Sequence, residues 1–341
     1  MLQHQLYMQR ALQLAKIGLI NAMPNPSVGA VIVYKDTIIG EGYTAAFGGS
    51  HAEVNAINSV KNQELLKEST LYVTLEPCSH FGKTPPCALL IVEKQIPKVV
   101  IGCIDPFAKV AGKGIETLEN NGIEVLTGVL EDECKESHKR FFTFHLKKRP
   151  YLILKWAQSA DGFIAPIKKN EQKPVWLSNT FSRQLTHKWR SEEQAILVGK
   201  QTVLDDNPSL TTRDWKGKNP VRLFIDSKNE INTTYQILNQ EAPTYRFTKN
   251  NKADKDVFIT FENTAQEICD FCFENDLQSI IIEGGRQTLQ TFIDARLWDE
   301  ARVFKAKTVV NNGILAPELK SFKKKSTVLI DNDCLCFYEP K

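Results

Sequence analysis

Ser50-His51-Ala52-Glu53-Val54-Asn55-Ala56, followed after one helix and one strand by Glu76-Pro77-Cys78-Ser79-His80-Phe81-Gly82-Lys83-Thr84-Pro85-Pro86-Cys87, is the part of the chain from which the rest is read. One imidazole and two thiols make three zinc ligands, and a tetrahedral ion then keeps a fourth position for water. Glu53, so close to His51, is the natural proton shuttle for that water. Each residue also has a plainer reading. Ser50-His51-Ala52-Glu53 fits a capping box in which Glu53 reaches back to the Ser50 N–H. Free cysteines are usually small buried hydrophobes. The joint occurrence of H-A-E, of P-C at a strand end and of a Cys before an apolar helix decides for zinc at His51, Cys78 and Cys87.

Working outward, residues 3 to 20 place Leu6, Ala11, Leu12, Leu14, Ala15 and Ile17 at helical spacing. The prolines of Met23-Pro24-Asn25-Pro26 make a loop. Val28–Tyr34 and 37–42 pair as a hairpin across Lys35-Asp36, and 71–75 is a strand running straight into Glu76-Pro77-Cys78. A helix starts near His51 and another at Cys87, behind two prolines that favour a helix start. Strands at 99–103 and 123–126, with a helix near 114–120, complete an alternation that argues for a layered α/β sheet.

The 341 residues exceed one domain of ordinary size and suggest two. A hydrophobic fraction of 42% with 24% charged residues describes a globular chain, and a formal charge of +3 asks for no nucleic acid or membrane surface. Lys323-Lys324-Lys325 is read as a solvated turn. The N-terminus lacks the pattern of a signal peptide, no run is apolar and long enough for a membrane span, and the eight cysteines form no disulfide framework. A cytoplasmic location with reduced thiols is expected. Cys269/Cys272 and Cys334/Cys336 are read as buried thiols before a second zinc site.

Lys147 to Pro150 is the expected boundary, giving domains 1–147 and 150–341. Beyond it, strands are expected at 151–157, 195–199, 221–226, 257–260 and 279–283, with helices at about 180–190, 264–275 and 286–296. No G-x-G-x-x-G or P-loop is present. A strand ending in Glu283-Gly284-Gly285 before a helix suits a phosphate, because paired glycines admit a ligand to the backbone and the helix start favours an anion.

Asn25-Pro26-Ser27-Val28-Gly29-Ala30, His51-Ala52-Glu53 and the segment Pro77 to Cys87 resemble the deaminase half of the bifunctional riboflavin-biosynthesis deaminase/reductase family. H-x-E with P-C-x-x-C is the general mark of zinc-dependent base deaminases. Here eight residues separate Cys78 from Cys87, and that longer loop is similar to this family's own. The second half resembles the family's reductase at Lys155 to Gly162, Trp176, Arg190, Thr202 to Arg213, Ile225-Asp226-Ser227 and Glu283-Gly284-Gly285.

The resemblance implies a cytidine-deaminase-like three-layer α/β/α domain followed by a dihydrofolate-reductase-like α/β domain. It implies zinc on His51, Cys78 and Cys87, Glu53 as proton donor, and NADPH as second cofactor. NADPH would meet Lys155, Gln158, Trp176, Thr202, Asp206, Ser227, Gly284, Gly285, Arg286 and Gln287. The pyrimidine ribosylamine phosphate would meet Asn25, His80 and Lys83 in the first half, and Arg190, Leu210, Arg213 and Glu283 in the second. A homo-oligomer, dimer or tetramer, is expected by the same analogy, with no nucleic acid or membrane partner. Two rivals remain. A nucleoside or tRNA base deaminase with an accessory nucleotide-binding domain fits the near-neutral charge and the long loop less well. A binding protein with structural zinc needs a fourth protein ligand, for which His80 is the only candidate.

Overall fold

The stretch Gly29-Ala30-Val31-Ile32-Val33-Tyr34 has no polar side chain before its terminal Tyr34, so as a strand it must be covered on both faces. The structure, a computed structural model, describes residues 2–81, 85–106, 112–169, 171–250 and 253–341. It divides into two compact units, Met1–Lys148 and Arg149–Lys341.

In the first unit, α1 (Leu2–Ala22) precedes β1 (Gly29–Tyr34), β2 (Thr37–Tyr43), α2 (Ala52–Ser59), β3 (Thr70–Leu75), α3 (Cys87–Glu93), β4 (Lys98–Cys103), α4 (Lys113–Asn120), β5 (Glu124–Thr127), α5 (Glu131–Ser137) and α6 (Lys139–Lys147). The strands form one sheet in the order β2-β1-β3-β4-β5. β1 is antiparallel to β2 and β3, whereas β3, β4 and β5 run parallel. α1 buries Tyr7, Met8, Ala11, Leu14, Ala15 and Gly18, the three- and four-residue spacing of one helical stripe. Their core partners include Val31, Ile32, Val73, Val100 and Ile101 from the sheet centre. α1 also packs on α5, while α2 packs on α3 and α3 on α4.

The second unit comprises β6 (Tyr151–Gln158), β7 (Phe163–Pro166), α7 (Thr180–Glu192), β8 (Ala195–Gly199), α8 (Lys200–Asp206), β9 (Val221–Ile225), β10 (Thr244–Thr248), β11 (Asp256–Phe258), α9 (Thr264–Glu274), β12 (Ser279–Ile282), α10 (Arg286–Asp294), β13 (Glu300–Lys305), β14 (Gly313–Leu315), β15 (Phe322–Ile330) and β16 (Asp333–Pro340). Nine of these strands make one sheet, β11-β10-β9-β8-β12-β6-β13-β16-β15, and β7 pairs β14 apart from it. The ladder is parallel from β11 to β13. It turns antiparallel at β16 and β15.

Three features differ from the sequence reading. α5, α6 and α8 are helices where none was expected, and β7, β10 and β13 to β16 are additional strands. Lys323-Lys324-Lys325 is no turn but the start of β15, an edge strand exposed along almost its whole length. Lysines on an edge strand block pairing with another sheet, so the charge run has a role in the fold. Cys269 and Cys272 lie in the core of α9, and the Cys334 and Cys336 sulfurs approach to 3.8 Å on β16. Among the described residues the only group of three or more metal-ligating side chains is His51, Cys78 and Cys87.

Candidate active site in each unit

β3 carries the chain to Glu76, whose N–H still bonds the Cys103 carbonyl at 3.0 Å, and Pro77 then ends the ladder. Cys78 follows just beyond the C-terminal end of this central strand. His51 is the N-cap of α2, in extended conformation and without a side-chain cap bond, so the Ser50–Glu53 capping box does not form. Glu53 instead lies inward, with 4% of its surface exposed. Pro86 is the N-cap of α3, which brings Cys87 to the same point.

His51 Nδ1 stands 3.6 Å from the Cys78 sulfur and 3.3 Å from the Cys87 sulfur. All three ligand atoms lie within 4.8 Å of one another. A tetrahedral zinc with ordinary Zn–S and Zn–N bonds sets N and S about 3.5 Å apart, so the donor set fits that ion in kind and in spacing. The Cys87 N–H donates to the Cys78 sulfur at 3.3 Å, a bond that favours a thiolate there.

The electrostatics agree with a cation site. The hydrogen bond from Cys87, and then that from His51, pull the Cys78 thiol down to about 4. The Cys87 thiol, sharing a proton with Cys78, is pushed up. The Cys78 hydrogen bond raises His51 to about 9. Burial, with the Cys78 charge behind it, raises Glu53 to about 7. A carboxyl held near neutrality can both accept and deliver a proton.

Other expected residues of this unit are less engaged. Asn25 is half-buried in the loop after α1, its N–H bonded to the Ala22 carbonyl. His80 is exposed. Lys83 lies outside the described residues.

The second unit holds a cleft of about 920 Å³. Its walls come from β6 and from the ends of β8, β9 and β12, which is where ligands enter open parallel sheets. Of the residues expected to meet a cofactor, Lys155, Thr202, Asp206, Ser227, Gly284, Gly285, Arg286 and Gln287 line it, and so does Glu283. Thr202 accepts the Gly285 N–H at 3.1 Å, tying the start of α10 to α8. A Cβ on Gly284 would stand 2.7 Å from that of Thr288, so only glycine lets α10 begin this close to β12. Gln158 and Trp176 are not among the lining residues. Gln158 accepts the Trp156 indole N–H, and Trp176 lies half exposed under the Arg183 guanidinium.

Glu283 is held by a two-pronged Arg190 contact of 3.1 and 2.7 Å, with Lys155 3.8 Å away. Burial alone would raise the Glu283 carboxyl, but Arg190 and Lys155 outweigh it and hold it down to about 2. Burial also lowers Lys155. The Arg190 fork is thus occupied by Glu283, with a further bond to the Thr211 carbonyl. Arg213 donates to the Ser209 hydroxyl, and between them Leu210 takes a left-handed backbone with φ of 55°.

Sequence reasoning passed over other lining residues. Lys169 reaches the cleft and pairs with Asp206, and Lys200, Phe261 and Thr264 complete walls. Lys200 follows strand β8 directly, a placement the sequence displayed; Lys169 lies in a polar stretch with no motif.

Comparison with known proteins matches residues 1–103 to a family described as the cytidine and deoxycytidylate deaminase zinc-binding region. Residues 150–331 match the RibD C-terminal domain. The riboflavin biosynthesis protein RibD of Aquifex aeolicus is 38% identical over 98% of this chain and 97% of its own. That of Bacillus amyloliquefaciens is 41% identical over 92% and 87%. A crystal structure of the diaminohydroxyphosphoribosylaminopyrimidine deaminase/5-amino-6-(5-phosphoribosylamino)uracil reductase of Thermotoga maritima superposes with a TM-score of 0.91 at 35% identity, covering 99% of both chains. Acinetobacter baumannii RibD superposes at 0.89 and 31% identity, again over 99% of both. Matched along nearly its whole length and in both of its units, the chain belongs to the RibD family of riboflavin biosynthesis proteins.

Proposed function

We propose that this chain is a bifunctional enzyme of riboflavin biosynthesis, with a zinc-dependent deaminase in residues 1–147 and an NADPH-dependent reductase in residues 150–341. The first reaction removes the 2-amino group of 2,5-diamino-6-ribosylamino-4(3H)-pyrimidinone 5′-phosphate as ammonia. The second reduces the ribosyl group to ribityl, giving 5-amino-6-ribitylamino-uracil 5′-phosphate. The observation that carries the reading is a buried Glu53 beside the His51, Cys78 and Cys87 donor set.

When bound, zinc supplies a Lewis acid that makes water nucleophilic near neutral pH. His51, Cys78 and Cys87 hold it, and Glu53 takes the proton of the attacking water. Glu53 would pass that proton to a ring nitrogen and then carry the second proton, from the added hydroxyl, to the leaving amine as ammonia departs and the carbonyl forms. Its burial keeps bulk water from competing for the proton. Asn25, His80 and Lys83 are assigned to the substrate of this unit.

NADPH, when bound, supplies the hydride for the ribosyl C1′. The N–H groups at the start of α10, opened by Gly284 and Gly285, suit its diphosphate. Thr202, Asp206, Ser227, Arg286 and Gln287 line the same cleft, which supports their role in orienting it; Gln158 and Trp176 keep theirs by the resemblance alone. Arg190 fixes the charged Glu283 beside Lys155, where a polar ribosyl group can be oriented. Arg213, with the Leu210 backbone, is left for the sugar phosphate. The free thiols support a reducing, cytoplasmic setting, and the enzyme is read as a homo-oligomer.

Purified protein given the diaminopyrimidinone substrate should release ammonia and oxidise NADPH in two separately measurable steps. Glu53→Gln should keep one zinc per chain and lose deamination by at least about a hundredfold, the usual scale of a general acid–base group. It should still oxidise NADPH with the deaminated pyrimidine. Ammonia release that survives the substitution sinks the role of Glu53.

A further inference from the structure

Glu76 is a buried group for which the two reactions have no use, and it lies close to the metal ligands in the chain. It is 4% exposed and carries no lysine or arginine partner among the described residues. Its carboxylate accepts four backbone N–H groups instead. Oε1 takes those of Gly114 at 2.9 Å and Ile115 at 3.4 Å. Oε2 takes those of Gly112 at 3.1 Å and Asp105 at 3.3 Å. The N-cap of α4 is Gly112, which has no side chain to offer and makes no cap bond of its own. Glu76 therefore caps α4 from a different element, with the negative charge that a helix start favours.

The consequence reaches the metal ligands because Glu76 stands two residues before Cys78. The intervening Pro77 is gripped from the same side. A Cβ on Gly114 would lie 2.1 Å from the Pro77 carbonyl oxygen, so the turn sits directly on the first residues of α4. Beyond it, the Cys78 carbonyl accepts the Ala88 N–H at 3.1 Å, and its sulfur accepts that of Cys87. The Cys78 turn is thus clamped between α4 on one side and the start of α3 on the other.

We propose that Glu76 is a positioning residue of the metal centre: by capping α4 with its carboxylate it sets the angle at which Cys78 meets His51 and Cys87. The inference rests on the zinc reading above. Glu76→Gln preserves the shape but turns one oxygen into an N–H₂ that faces backbone donors, removing two of the four acceptances. Gly114→Ala pushes on the Pro77 carbonyl and, at 3.1 Å, on Glu76 Oε1, while leaving the carboxylate itself chemically unchanged.

The test uses the full chain. Zinc affinity is read by competition with a chromophoric chelator, and site geometry by the d–d spectrum of the cobalt-substituted protein. Both substitutions should weaken zinc by about tenfold, the lower end for groups that orient metal ligands. Both should also shift the cobalt spectrum away from the parent's. NADPH oxidation with the deaminated pyrimidine, carried by the other unit, should stay within about twofold and report intact protein. If Glu76→Gln leaves the first unit unfolded, Gly114→Ala carries the test. Parent-like affinity and spectrum in a folded variant, even one of lower melting temperature, would make Glu76 a helix cap and nothing more. Parent protein that binds no zinc would instead overturn the reading on which the inference stands.

Discussion

Two histidines of the first unit show how much a side chain's neighbours decide. His51 is raised to about 9 by the Cys78 sulfur, whereas burial lowers His138 to about 4. His138 is 2% exposed, with Nε2 3.2 Å from the Thr74 hydroxyl and no partner for Nδ1 among the described residues. Its folded pKa lies below the unfolded value of 6.5, so the unfolded chain binds the extra proton first. The stability it contributes is complete above 6.5 and is lost as the pH falls towards about 4, on the order of 3 kcal/mol in all. Urea unfolding of the first unit should fall off across that window in the parent and much less in His138→Gln; equal slopes would remove His138 from the account. Nothing in Lys135-Glu136-Ser137-His138 signals this burial. The His51, Cys78 and Cys87 donor set was legible because its chemistry is written as spacing around strand and helix ends. The Arg190–Glu283 pair was not, since it joins residues 93 positions apart and only the folded sheet brings them together.

At the level of elements, the legible strands were those covered on both faces. β1, β3, β4, β8 and β12 are near-continuous apolar runs because they are buried along almost their whole length, as parallel β3, β4, β8 and β12 are and as antiparallel β1 is too. β15 defeated the same reading: its Phe322-Lys323-Lys324-Lys325 start is exposed and carries no buried stripe. α8 was hidden by its length of seven residues and by Gly199 before it. The turn from β12 into α10 was visible as Glu283-Gly284-Gly285, yet the reason for its glycines was not. Both Gly199 and Gly284 close on Thr288, with a Cβ on either standing 2.4 to 2.7 Å from that side chain. Gly284→Ala must therefore push α10 away from β12, at about 1–3 kcal/mol for overpacking. Because the start of α10 is the proposed diphosphate site, the KM for NADPH should rise several-fold while deamination is unchanged. A lower melting temperature with an unaltered KM would separate the packing from the cofactor role.

The whole molecule consists of two units, each with its own apolar core and its own candidate site. The candidate metal donors come from the starts of α2 and α3 and the end of β3, all in the first unit, and the cleft draws only on residues of the second. A ligand that binds the folded form alone stabilises it by mass action, about 2.7 kcal/mol at a concentration a hundred times its Kd. Each ligand should then protect only the unit that binds it. In calorimetry, stripping zinc with a chelator should lower one transition and leave the other in place. NADPH should raise the transition that the chelator left untouched. Glu53→Gln, which removes no ligand, should follow the parent in both. The assignment of sites to units stands on this crossing pattern: a single transition moved by both zinc and NADPH would mean that the two cores unfold as one. A chelator that lowered the NADPH-protected transition alone would put the metal in the wrong half of the chain.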